Sequence, residues 1–238
     1  MTRVDDEGAV VATLAEGVDY TLSFANTVNA GKETATVTVK GIGNYSGEVV
    51  KYYTINQAAA LITVNDSSKT YGDDDPAFTG VVTLADGESP LYTNVETDTQ
   101  DTLGAITYSR TNADVNDAGE YLEVLTASVE GLNSNYTYSV VDGDFTITAA
   151  GGNIVNIDTA AEDRSKTYDG QSISIDASAS KPGSTLWYST DGENWTETKP
   201  SLTNVGTLTI YVKATNPNYE ESAVVSATVQ VAPRPVTI

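Results

Sequence analysis

Three segments of the chain end alike, and that recurrence constrains the fold more than any single motif. The first runs Asn29-Ala30-Gly31, then Thr34-Ala35-Thr36-Val37-Thr38-Val39-Lys40, then Asn44-Tyr45, and closes on Tyr53-Thr54-Ile55. The second runs Asp117-Ala118-Gly119, Leu125-Thr126-Ala127-Ser128-Val129-Glu130, Asn135-Tyr136 and Phe145-Thr146-Ile147. The third runs Asn204-Val205-Gly206, Leu208-Thr209-Ile210-Tyr211-Val212-Lys213-Ala214, Asn218-Tyr219 and Thr228-Val229-Gln230-Val231. The Asn-Tyr pairs fall 91 and then 83 residues apart. Markers kept in order at such a period are the signature of tandem units.

The early half of the unit recurs too. Ser68-Lys69-Thr70-Tyr71 and Ser165-Lys166-Thr167-Tyr168 lie 97 residues apart, each followed by Gly and Asp. Residues 1–57 leave no room for a counterpart, so the first unit reads as truncated. Short Ala- or Pro-bearing joints separate the units: Ala58-Ala59-Ala60, Ala149-Ala150-Gly151-Gly152 and Ala232-Pro233-Arg234-Pro235. The expected modules are therefore 1–57, 58–149 and 150–233, with 234–238 as the start of a following repeat. Met1 then reads as the start of a fragment cut from a longer array.

Within each unit the pattern is that of strands. Leu208, Ile210, Val212 and Ala214 alternate with Thr209, Tyr211 and Lys213, and Ala35, Val37 and Val39 alternate likewise. Such half-buried strands suit antiparallel sheets with one wet face. Thr, Val and Tyr (14 Tyr against 3 Phe) favour strands, while Asn, Asp and Gly favour turns. The best helical stretch, Thr159–Arg164, is about one turn long. The predicted class is all-β: an extended array of small immunoglobulin-like antiparallel sandwiches. The alternative, β-grasp-like modules, needs a helix across the sheet that the sequence does not offer.

Composition narrows the function. The chain has 12 Lys plus Arg, 33 Asp plus Glu, no His and no Cys, for a formal charge of −21. Without His or Cys there is no Ser–His–Asp triad, Cys–His pair or His-ligated zinc. The negative charge opposes binding to nucleic acid or an anionic membrane, both of which demand a cationic surface. No apolar run approaches the roughly 20 residues of a membrane span. Residues Met1–Glu7 turn acidic where a signal peptide carries positive charge.

Ser165-Lys166-Thr167-Tyr168-Asp169-Gly170, Trp187-Tyr188-Ser189-Thr190-Asp191-Gly192-Glu193-Asn194-Trp195 and Asn218-Tyr219 resemble the YDG/MBG-type repeats of bacterial surface proteins. Lys69-Thr70-Tyr71-Gly72-Asp73-Asp74-Asp75-Pro76, with Asp144-Phe145-Thr146-Ile147, resembles the related YGX-type MBG repeat. Gly17–Phe24, Asn29-Ala30-Gly31 and Gly41–Gly47 are similar to a third, immunoglobulin-like surface repeat. The resemblance implies tandem extracellular modules of adhesin-like, cell-surface bacterial proteins. It implies no catalytic residue and no cofactor.

Each chemically suggestive cluster has a structural reading beside its functional one. Asp73-Asp74-Asp75 could ligate calcium, or simply form the turn before Pro76. Trp187, Tyr188 and Trp195 flank the hairpin signal Asp191-Gly192. They could stack on a sugar, or pack in a core and brace the hairpin. The Asn-Tyr pairs (Asn44-Tyr45, Asn135-Tyr136, Asn218-Tyr219), with Tyr71 and Tyr168, read as structural; a corner tyrosine can bury its ring and cap backbone with its hydroxyl. Asn-x-Ser/Thr at Asn44, Asn65, Asn135 and Asn194 reads as incidental. The eight lysines (32, 40, 51, 69, 166, 181, 199, 213) are the candidates for a Lys–Asn isopeptide bond of the kind some surface stalk domains carry, although Lys40 and Lys213 point outward by their strand alternation. The expected role is a non-catalytic spacer or stalk at the bacterial surface, monomeric, with neighbouring repeats as partners. The alternative is a module binding host glycan or protein through loop aromatics.

Overall fold

The structure is a computed structural model and describes residues 2–95 and 97–236. It is all-β, as the alternation predicts: among the described residues every regular element is a strand except one 3₁₀ turn, Ala161–Arg164, inside the stretch with the best helical pattern. The chain divides into two compact units. One comprises Met1–Asn65, Phe78–Thr111 and Glu123–Gly143; the other comprises Asp66–Ala77, Asn112–Leu122 and Asp144–Ile238.

In the first unit, Tyr20–Ala25, Gly31–Gly41 and Glu48–Ile55 form an antiparallel meander with Phe24, Val37 and Lys51 in line. A hairpin of Thr2–Val4 and Val10–Thr13 precedes it. A second three-stranded sheet places Ala58–Val64 between Tyr136–Val141 and Gly80–Leu84. Opposite it, Ala105–Arg110 pairs antiparallel with the end of Gly119–Glu130. The two layers meet closely. A Cβ on Gly80 would lie 2.7 Å from the Tyr108 ring and 2.6 Å from the Thr63 carbonyl oxygen, so no larger residue fits there. Ala60, Ile62 and Val64 on one layer and Leu125 and Ala127 on the other are buried between them, spaced by two as a strand requires.

In the second unit, the four strands Ser165–Thr167, Val225–Ala232, Gly206–Thr215 and Thr185–Ser189 form one sheet. The pair Val155–Ile157 and Ala177–Ala179 covers its apolar face. Val155, Ile175, Tyr188, Ile210, Val212, Ala214, Ala227 and Val229 make the core. This is a small β-sandwich, its two layers supplying alternate residues to one interior.

Parallel pairing joins Ala58–Val64 with Tyr136–Val141, Ser67–Thr70 with Gly143–Thr148, and Ser165–Thr167 with Val225–Ala232. Sequence alternation predicts antiparallel sheets and does not reveal these edges, because the side-chain period is two in either direction. Parallel pairing requires a long crossover. Here the partners lie 65–78 residues apart along the chain. Of residues 234–238, read above as the start of a further repeat, Thr237 and Ile238 lie outside the described residues.

Candidate functional site

Asn135-Tyr136 and Asn218-Tyr219 tie chain-distant segments together, and all three Asn-Tyr pairs are built alike locally. Each sits on the same turn. The Tyr amide donates to the carbonyl three residues back, at 3.1 Å for Tyr45 to Ile42, 3.0 Å for Tyr136 to Asn133 and 3.2 Å for Tyr219 to Asn216. In the latter two turns the Asn133 and Asn216 side chains also accept from the amides of Asn135 and Asn218, at 3.0 Å each. That fixes the turn so that the next asparagine points away from its own loop.

What it reaches is the start of another long strand. Asn135 Oδ1 accepts from the Ala30 amide at 2.8 Å, while its Nδ2 donates to Asn29 Oδ1 at 3.2 Å. Asn218 repeats the arrangement: Oδ1 accepts from the Ala118 amide at 2.7 Å and Nδ2 donates to Asp117 Oδ1 at 2.9 Å. The carbonyls of Asn135 and Asn218 then accept from the amides of Ala58 and Ala150, at 2.9 and 3.0 Å. An asparagine suits this place because its amide carries both an acceptor and a donor. The backbone N–H fixes which end is oxygen.

The sequence marks both halves of the contact without linking them. Asn29-Ala30-Gly31 and Asp117-Ala118-Gly119 open strands Gly31–Gly41 and Gly119–Glu130, and the triplet recurs in the same order as Asn-Tyr. That co-recurrence is the available signal. The partners, separated by 106 and 101 residues, are brought together only by the fold.

The tyrosines differ in detail. Tyr136 is 1% exposed. Its hydroxyl accepts from the Tyr92 amide at 3.1 Å and donates to Asp101 Oδ2 at 3.1 Å. Burial, reinforced by the Asp101 carboxylate, pushes that hydroxyl above its ordinary range. Tyr219 packs edge-on against Tyr71 with ring centroids 5.3 Å apart, and Lys181 Nζ lies 4.8 Å from its ring centre. Tyr168 is exposed and Tyr45 half-buried. A cleft of about 340 Å³ opens beside the first joint, between Thr27–Ala30, Tyr92–Val95 and Tyr136.

Trp187, Tyr188 and Trp195 do not form one aromatic platform. Neighbours on a strand face opposite ways. Tyr188 accordingly lies in the core, while Trp187, on the other face, donates from Nε1 to Thr215 Oγ1 at 2.9 Å. Trp195 is half-buried beneath Lys213, whose Nζ lies 4.8 Å from the ring centre and bonds Glu221 at 3.0 Å. The hairpin between them closes through Tyr188 and Thr196. Asp191 organises its turn, accepting from the Glu193 and Asn194 amides at 2.8 Å, from Asn194 Nδ2 at 2.7 Å and from Ser189 Oγ at 2.8 Å.

Those donors, the Asn194 side chain foremost, hold the Asp191 carboxyl well below the usual carboxylate range. A depressed folded-state pKa means the stabilisation is present above the unfolded value near 3.9 and is lost as pH falls through the folded one. The Asp191 carbon-13 carboxyl titration is therefore expected well below pH 3.9, and Asn194→Ala should raise it. A midpoint at or above the ordinary value contradicts this account.

Lys69, its side chain 6% exposed, pairs with Asp75 Oδ1 at 2.8 Å and donates to Asn116 Oδ1 at 2.9 Å. Lys166 pairs with Asp169 at 2.7 Å. The motif lysines thus fasten the acidic turns that follow them. Among the described residues no group of three or more Asp or Glu is arranged to hold a metal ion.

Residues 60–146 match the family model for the MBG domain (YGX type). No curated protein sequence matches the chain. Similar solved structures include Sidekick-1 immunoglobulin domains 1–4, at 10% identity, TM-score 0.35, over 91% of this chain and 68% of that one. The protocadherin GammaB4 extracellular domain is similar at 12% identity and TM-score 0.33, over 94% of this chain and 44% of that one. BT4661, a SusE-like surface-located polysaccharide-binding protein of Bacteroides thetaiotaomicron, follows at 14% identity and TM-score 0.22, over 90% and 35%. The chain thus spans less than half the length of the latter two.

Proposed function

We propose that this chain is a run of β modules (1–57, 58–149 and 150–233) from a bacterial cell-surface protein, acting as a non-catalytic, semi-rigid spacer. The observation that carries the reading is the twice-built asparagine contact. Both instances tie the loop before a long strand in one proposed module to the Asn-Tyr turn of the next. With three hydrogen bonds and a joint of a few residues, each connection restricts swing more than a bare linker does. The MBG match across residues 60–146 agrees with a surface protein, and a charge of −21 spread over three modules keeps such a chain soluble.

The chain has no cysteine, so paired spin labels can be placed on cysteines introduced at the exposed Ser46 and Ser201. Pulsed dipolar spectroscopy is expected to give a narrow distance distribution that broadens when Asn135 and Asn218 are both changed to Ala. A broad distribution in the native chain would remove the spacer reading. Specific binding on a glycan array would favour the alternative, a carbohydrate-binding module.

A further inference from the structure

The two observed contacts share a polar acceptor triplet, and a third such triplet is present with nothing among the described residues seated on it. Each consists of a polar residue, a small apolar residue and a glycine that starts a long strand: Asn29-Ala30-Gly31, Asp117-Ala118-Gly119 and Asn204-Val205-Gly206. In the first two the middle residue is half-buried and its amide donates to an incoming asparagine. Val205 is 53% exposed, and among the described residues neither its amide nor the Asn204 side chain has a partner.

A second, independent feature matches. Tyr71 and Tyr168 occupy the same backbone position, their amides donating to the carbonyls of Thr148 and Ala232 at 2.8 and 2.9 Å. Tyr71 is half-buried because the ring of Tyr219 packs on it at 5.3 Å. Tyr168, in the equivalent place, is 39% exposed. Polar and aromatic halves of the acceptor are thus both built and both open.

We infer that Asn204, the Val205 amide and Tyr168 together form an acceptor for the Asn-Tyr turn of another module of this architecture, connected in line after Ala232. The incoming asparagine accepts from the Val205 N–H and donates to Asn204 Oδ1, and its tyrosine packs edge-on against Tyr168. The occupant is assigned in line because three hydrogen bonds and one ring contact are worth little between separate molecules. Between covalently joined modules the effective concentration is of millimolar order. The inference rests on the modular reading of residues 150–233.

The test lengthens the full chain by placing a second copy of residues 149–232 directly after Ala232. Because Ala232 stands where Thr148 stands, the spacing of the observed joint is kept. Exchange of the Val205 amide is expected to slow about tenfold or more, the effect of one net hydrogen bond. Asn218→Ala in the appended copy should reverse it. The inference is overturned if Val205 exchanges equally in both chains while Val212 of the appended copy is protected, which shows that copy folded. It is also overturned if Val205 in the unextended chain becomes protected as concentration rises, which would give the acceptor to a separate molecule. Fast exchange at Ala30 and Ala118 in the native chain would instead defeat the spacer reading itself.

Discussion

Ile210→Ala is expected to lower the stability of the 150–233 module by about 2–5 kcal/mol, the usual range for an Ile→Ala truncation in a packed core. Ile210 is 0% exposed and lies among Val155, Ile175, Val212 and Val229, which come from both layers of the sandwich. Its neighbours cannot collapse into the space without moving strands that are hydrogen-bonded on either side. Val37 occupies the matching place in the first repeat but is only half-buried. Val37→Ala is accordingly expected to cost about 1 kcal/mol or less. Urea titrations followed by amide exchange at Val212 and Val39 distinguish the two sites. Ile210→Ala should release Val212 and leave Val39 unchanged. Equal loss at both would mean that the modules do not hold separate cores.

The second large effect concerns the joints. Asn218→Asp places a carboxylate where Nδ2 now donates to Asp117 Oδ1 at 2.9 Å. Two carboxylates at that range cannot both ionise without strong repulsion, so the pair's proton affinity rises. A folded-state pKa raised above the unfolded value gives stability that is full at low pH and lost as pH rises through the folded value. At pH 7 the Ala118 amide is expected to exchange roughly 10- to 100-fold faster than in the native chain, since a hydrogen bond to a charged group is worth about 1.5–3 kcal/mol. Protection should return below about pH 4, where one carboxyl can donate to the other. Asn135→Asp meets the amide of Asn29 instead. That amide can turn to donate, so the change there should be several-fold smaller. Equal, pH-independent effects at both positions would mean that the asparagines do not close the joints.

How much of this was readable from sequence differs by level. The all-β class followed from alternation and turn residues. The turn before each Tyr was marked by Asn-Tyr, and the hairpin at Asp191-Gly192 by its Asp-Gly. The aromatic cluster was legible as residue types only. Neighbouring positions on one strand send Trp187 and Tyr188 to opposite faces, and Lys213 reaches Trp195 from a strand the sequence places elsewhere. The parallel edges were not legible, because pairing direction leaves no trace in a period of two.

What the sequence determined by itself is local. Strand periodicity and turn chemistry act over a few residues, so Ala35-Val37-Val39 and Leu208-Ile210-Val212 carry the same instruction. Only the tertiary structure decided what that instruction meets. Ile210 and Val212 are fully buried, whereas Phe24 and Val49, which share the apolar face of Val37, are 60% and 54% exposed. The same holds for Asn135 and Asn218. Their side chains can bond any donor and acceptor pair within reach, and which pair that is depends on loop closures of about a hundred residues. Burial and long-range hydrogen bonding are properties of the closed chain, and no window of sequence contains them.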